Sequence, residues 1–326
     1  WSIVFPIFAP LFLNAENSLL APGTSFATRT TILGFFLAAF PLAQFIGAPI
    51  LGEMADKLGR KKAFAISVAL TLVGYTLSAA TINSNLTLLF FSRIICGLFS
   101  GNLSVCLATL SDLSKSEKAR IKNFGYLAVI AGFSFIVGAF VGGKFSDPTV
   151  NPLFSPAFPL WIASVLSFLN LLFIFFAFFE TYHAHKDLKY NFFESFENIK
   201  KALKTKRIKS IYLVYFLFVF AWTIVFQFSP VLVIKRFGFT SSNIGDLAAV
   251  MGVSWAIGSG VINKLLVRKF SPIKILEIAL FAFTIVCVFI AFQTNIISVL
   301  TFLCISVAIG GLGWPLIANL IASLAP

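Results

Sequence analysis

Arg93 stands inside an apolar run, seven residues past Leu86. At a helical rise of about 1.5 Å per residue, that puts a guanidinium roughly 10 Å into a bilayer. A charge at such depth is costly unless it meets water or a partner, so it marks a candidate solute or ion pathway. On a continuous helical wheel, Ser100 and Ser104 fall close to Arg93 and Asn102 falls opposite, which groups Arg93, Ser100 and Ser104 at a central cavity. An arginine that snorkels to the outer headgroups is the competing reading. A second constellation runs from Gly52 to Lys62, with Asp56, Gly59, Arg60 and Lys61 at its centre. Gly52 is read as a helix end that admits another backbone and Gly59 as the site of a tight reversal. Asp56 and Arg60, four residues apart, suit charge-assisted bonds at helix ends. Such a cluster can fasten two helices together at a membrane surface.

Other chemistry finds little support. Cys96, Cys106, Cys287 and Cys304 lie within apolar runs without metal or redox spacing. His183 and His185 are two ligands at most, which defines no metal site. Neither a Walker lysine motif nor a GxSxG elbow is present. No catalytic residue, metal or cofactor is therefore assigned. The 12 carboxylates can all be placed at or beyond the ends of apolar runs, whereas proton coupling usually leaves an embedded carboxylate as its trace.

The elements that position these residues follow from composition. The chain is 59% apolar and only 11% charged, against roughly 25% charge in soluble domains. That excludes a soluble enzyme, a secreted disulfide scaffold and a disordered chain. Apolar runs fall at about 1–14, 31–52, 63–82, 86–110, 121–143, 157–180, 208–234, 241–263, 274–293 and 296–320. All but the first are long enough for a helix to cross a core of about 30 Å. The first reads as the outer part of a helix whose start is missing. The expectation is an all-α polytopic membrane protein, with a six-helix unit over 1–180, a basic connecting loop over 181–207 and a four-helix unit over 208–326. The loop is either a tether or, through Phe192, Phe193, Phe196 and Ile199, partly a surface helix.

The net charge of +13 is explained by where the cations stand. Twenty Lys and Arg lie in the segments after the second, fourth, sixth and eighth runs; Arg29, Lys144, Lys235 and Arg236 lie on the opposite side. The positive-inside rule assigns the basic face to the cytoplasm. Insertion and anionic lipid account for the charge, with no nucleic-acid partner.

The Gly52–Lys62 pattern, GxxxDxxGRKK, resembles the loop signature between spans two and three of the major facilitator superfamily. Arg93-Ile-Ile-Cys-Gly97-Leu-Phe-Ser-Gly101 resembles that family's RxxxGxxxG element, with Gly97 and Gly101 suited to close helix packing. Ser134, Gly138, Gly142 and Gly143 resemble the GxxxGPxxGG signature of its proton-coupled antiporters, although Ser134 replaces the first Gly and Ala139 the Pro. Gly260 to Lys269 echoes the first motif weakly. The resemblance comes closest to tetracycline-efflux-like drug:proton antiporters. It implies a two-bundle fold, with ten of an expected twelve spans here, and a cytoplasmic gate in which Asp112 pairs with Arg60. An ordinary helix cap is the alternative for Asp112.

The resemblance also makes spans one, four, seven and ten line a cavity, so Tyr215, Trp222 and Phe226 on span seven and Trp314 and Asn319 on span ten are expected to face a solute. The function expected is proton-coupled efflux of small amphipathic compounds by alternating access, by a monomer in a bacterial inner membrane, with drug resistance as the readout. An uptake symporter and a non-transporting receptor or scaffold are the rivals.

Overall fold

The computed structural model describes residues 2–14, 19–182 and 206–324. Most of the connecting segment, with His183, His185 and Phe192–Ile199, lies outside the described residues, as do the side chains of Tyr215, Trp314 and Asn319. Among the described residues every regular element is helical. After a 3-10 turn, Ser2–Val4, come α1 (Phe5–Leu13), α2 (Phe26–Leu58), α3 (Arg60–Thr81), α4 (Leu86–Leu98), α5 (Asn102–Asp112), α6 (Glu117–Phe145) and α7 (Phe158–Ala177). The second half holds α8 (Lys206–Phe237), α9 (Ser241–Ala256), a π-helical stretch Ile257–Ile262, α10 (Asn263–Val267), α11 (Pro272–Phe292) and α12 (Ile296–Leu324). With α4–α5 and α9–α10 each taken as one span, nine helices among the described residues are long and apolar enough to cross a bilayer.

Helix starts coincide with side chains that satisfy otherwise orphaned amides. Ser25 accepts from Thr28 N at 3.2 Å, Asn85 from Leu88 N at 2.9 Å and Ser116 from Ala119 N at 3.2 Å. Thr240 and Asn243 form a reciprocal capping box at the start of α9. Large apolar side chains such as Phe35, Val129, Phe133, Phe176 and Phe281 remain exposed, from 68 to 84%. In water that surface would be a liability; in lipid it is the expected coat.

Helices α2, α3, α4 and α7 pack together in the first half, and α9, α11 and α12 in the second. One core gathers Phe8, Phe12, Leu33, Phe36, Leu89 and Leu160; another gathers Phe226, Ile244, Met251, Leu303 and Val307. The halves meet where α6 lies against α9 and α1 lies against α8 and α9.

Two local features differ from the sequence expectation. Gly52 ends no helix: α2 continues to Leu58, and a Cβ at Gly52 would find nothing within 4 Å. A single helical glycine costs only about 1 kcal/mol, too little to stop a long span whose other residues favour helix. The fourth span is interrupted at Phe99–Gly101. There Gly97 presses on the Phe40 carbonyl, and a Cβ on Gly101 would stand 3.0 Å from Ala48 Cα. The close approach to α2 is made at the expense of helical continuity.

Candidate functional site

Three groups of polar residues are brought together: one at the basic face, one midway and one at the outer face. At the basic face, Gly59 joins α2 to α3 with φ of 90°, a conformation open chiefly to glycine. The reversal aims Arg60 into a nest in which it is only 6% exposed. Arg60 Nη1 donates to Asp56 Oδ1 at 2.7 Å, and Nε donates to Asp112 Oδ2 at 3.0 Å. Its guanidinium also lies 4.7 Å from the Tyr182 ring centroid. Lys61 Nζ donates to the Phe175 carbonyl at 3.0 Å, placing a cation at the closing turn of α7. The ends of α2, α3, α5 and α7 are thus tied through one arginine and its neighbour.

Sequence reasoning missed Glu180 in this cluster. Its carboxylate accepts from Arg60 N at 2.8 Å and Lys61 N at 3.1 Å, capping the start of α3 from 120 residues downstream. A Cβ on Gly59 would collide with that carboxylate. An acidic residue at the very end of the sixth apolar run was the available signal, but sequence separation hid its partner. Glu180→Ala leaves two helix-start amides unpaired and is expected to cost about 1 kcal/mol. It would show as a lower melting temperature in detergent; an unchanged one would remove the capping role.

Midway through the bundle, Arg93 is 4% exposed and lies over Phe8 and Phe40, its Cζ 5.2 and 4.7 Å from their ring centroids. Gln227 and Pro230 of α8 line the same space. Phe226 stacks on Trp222 at 5.3 Å and meets Phe5 of α1 at 4.8 Å and Phe135 of α6 at 5.9 Å. An aromatic wall therefore runs along the seam between the halves. Pro230 lacks the N–H that the Phe226 carbonyl would otherwise accept, and the Ser229 hydroxyl supplies it at 2.8 Å.

Ser100 and Ser104 do not join Arg93. Their hydroxyls donate to Gly97 O at 2.8 Å and Gly101 O at 2.7 Å. The interruption at Phe99–Gly101 resets the helical phase, so a wheel drawn through it fails. Asn102 faces α3 instead and accepts a bond from the Ser67 hydroxyl.

At the outer face, α6 and α9 approach through glycine. A Cβ on Gly143 would stand 2.6 Å from Gly245 Cα and 2.7 Å from the Ser241 carbonyl. Gly138 and Gly142 receive the chain at Ser2 and Ile3, and Ser134 O accepts from the Ser2 hydroxyl at 3.4 Å. Beside the crossing, Lys144 Nζ meets Asp246 Oδ2 at 2.7 Å and Ser242 Oγ at 2.8 Å. Asp147, 2% exposed, accepts from Ser242 N at 2.8 Å and from Thr149 N at 2.9 Å.

Burial alone would raise the Asp147 pKa, but bonds from Thr240, Ser242 and Thr149 outweigh it and hold the carboxyl below its ordinary range. The sign follows from linkage: the bonds stabilise fully above the ordinary carboxylate pKa and are lost as pH falls through the lowered one. The outer link therefore holds at neutral and mildly acid pH. Asp147→Asn should lower the melting temperature at pH 7 and remove part of its decline in strong acid. Superimposable melting-versus-pH curves for both proteins would contradict this.

The four cations on the outer side each have a partner. Besides Lys144, Arg29 donates to the carbonyls of Thr24, Phe12 and Ala21 at 3.0 to 3.3 Å. Arg236 donates to Gln293 O at 2.7 Å and Ala291 O at 3.1 Å, at the end of α11. Lys235 lies 5.3 Å from the Phe26 ring centroid.

Known proteins resemble this chain in sequence or in fold. Tetracycline resistance protein, class H, of Pasteurella multocida is 33% identical over 148 residues, 44% of this chain and 34% of that protein. Quinolone resistance protein NorA of Staphylococcus aureus is 36% identical over 116 residues, 35% of this chain and 29% of its own length. The chain thus matches about a third of the length of each. The D-xylose-proton symporter superposes with a TM-score of 0.70 at 18% identity, covering 100% of this chain and 81% of that one. The human organic anion transporter MFSD10 gives 0.65 at 19%, covering 96% and 80%. Both solved structures share the helical two-bundle fold. Because the model of the Major Facilitator Superfamily matches residues 1–326, this membrane-embedded chain belongs to that superfamily of transporters.

Proposed function

We propose that the protein is a secondary transporter that exports small amphipathic compounds in exchange for protons, by alternating access. The observation that carries the reading is the seam: one buried arginine and an aromatic wall stand midway between two helix groups joined at their outer ends. A seam of that kind holds a solute at midplane while the groups pivot about it. Residues Arg60, Asp56, Asp112 and Glu180 brace the inner ends of the first group, and Lys144 with Asp246 fastens the outer closure. Similarity to tetracycline and quinolone resistance proteins favours export. Residence as a monomer in a bacterial inner membrane belongs to the same proposal.

Everted membrane vesicles test it. An imposed proton gradient should drive accumulation of a lipophilic fluorescent dye, and an uncoupler should abolish it. Uptake only in right-side-out vesicles would replace export with symport. No flux in either orientation would leave a non-transporting scaffold.

A further inference from the structure

The arginine midway through the seam has a charge that nothing described around it balances. Arg93 Nη1 is fully buried and makes no hydrogen bond, and the same is true of Gln227 Oε1 across the seam. The four ion pairs found among the described residues all lie elsewhere. Tyr75 and Cys96, the polar groups that act on Arg93, are uncharged at neutral pH. The guanidinium lies over the rings of Phe8 and Phe40. Such contacts offset part of the desolvation cost of a cation but do not occupy its in-plane donors. A buried, unpaired donor on a cation is among the more costly arrangements a protein retains.

On the transport reading above, we propose that Arg93 and Gln227 form the head-group subsite for an anionic aromatic solute, a carboxylate or its equivalent attached to a planar ring. The solute's oxygen would accept from Arg93 Nη1. Rotation of the Gln227 amide would present its N–H to the same group. The ring would lie along Phe5, Phe226 and Trp222, where Trp222 stacks on Phe226 and Phe5 meets Phe226 at a tilt. Trp222 Nε1 is likewise buried without a partner, its edge packed against Gly310 of α12.

A cationic head group is disfavoured here, because it would sit beside an uncompensated like charge. A neutral one would leave the arginine unbalanced. In this structure the space at Arg93 and Gln227 is about 20 Å³, room for one water-sized group. The ring therefore enters only as the helix groups part.

The test is equilibrium binding of three matched probes to the purified protein in detergent: 2-naphthoate, 2-naphthamide and 2-naphthylmethylammonium, each radiolabelled. The wild type should bind naphthoate at least tenfold more tightly than naphthamide, with the ammonium weakest. Arg93→Gln should bring the naphthoate-to-naphthamide ratio near one. Gln227→Leu should weaken naphthoate severalfold, and Arg93→Lys, which keeps the charge, should retain part of the preference. Gel filtration and melting verify folding of each variant; should Arg93→Gln fail them, the other two decide.

Equal binding of naphthoate and naphthamide by the wild type would overturn the proposal, as would a preference that survives Arg93→Gln or a preference for the ammonium. The dye experiment separates this from the export reading. Dye accumulation without anion preference sinks only the subsite, whereas anion preference without flux in either vesicle orientation sinks only transport.

Discussion

Arg60→Ala should cut proton-driven dye accumulation at least tenfold while the amount of inserted protein stays unchanged. The arginine donates to Asp56 and Asp112 and lies against Tyr182, so one truncation removes the side-chain ties of the start of α3 to α2 and α5 and its ring contact, while Glu180 still caps the backbone amides. Breaking a fully buried pair costs about 3–5 kcal/mol. The Asp112 side chain is 24% exposed and that of Asp56 is 56% exposed, so solvent screening brings the expected loss nearer 2 kcal/mol. Since about 1.4 kcal/mol is tenfold in an equilibrium, that is enough to depopulate one working conformation.

The exposures also rank the partners. Asp112→Asn should impair flux more than Asp56→Asn, and Arg60→Lys should fall between wild type and alanine, because one ammonium cannot reproduce a two-sided fork. Initial rates in everted vesicles, normalised by immunoblot, are the measurement. Wild-type rates in Arg60→Ala would remove the cluster from the transport cycle.

Gly143→Leu should reduce flux to background and open the outer face. Real Cβ contacts essentially never fall below about 3.0 Å, and the 2.6 Å and 2.7 Å neighbours at Gly143 are backbone atoms that cannot rotate aside. The helices α6 and α9 must move apart, which separates Lys144 from Asp246. Overpacking of this kind costs about 1–3 kcal/mol. Disulfide formation between cysteines placed at 144 and 246, with the four native cysteines replaced by serine, should be rapid in the parent and lost with Gly143→Leu. Gly125→Ala is the control: a Cβ there meets nothing, and alanine is the better helix former. Retained cross-linking in Gly143→Leu would show that the crossing tolerates side chains.

The spans were legible because a bilayer admits few backbone solutions: runs of about 20 apolar residues bounded by polar clusters leave little choice. The membrane-embedded two-bundle fold and the superfamily followed from those runs together with the loop motif. The pairing of Arg60 with Asp112 came from resemblance, and the two side chains meet at 3.0 Å. Less legible were features decided by contacts distant in sequence. Glu180 caps α3 across a gap no periodicity reveals. Asp147 serves the start of α9, some 95 residues on. The interruption at Phe99–Gly101 is set by how closely α2 approaches, and a wheel assumes continuity just where it is lost.

The outer face has a consequence for solute release. Its four cations are occupied by backbone oxygens, a carboxylate and a ring. Only Lys144 has its charge offset by a carboxylate, so the exposed Lys235 and Arg236 still attract a departing anion. On the export reading, an organic acid leaving through this mouth would pass those two fixed charges, so discharge on this side should quicken as ionic strength rises.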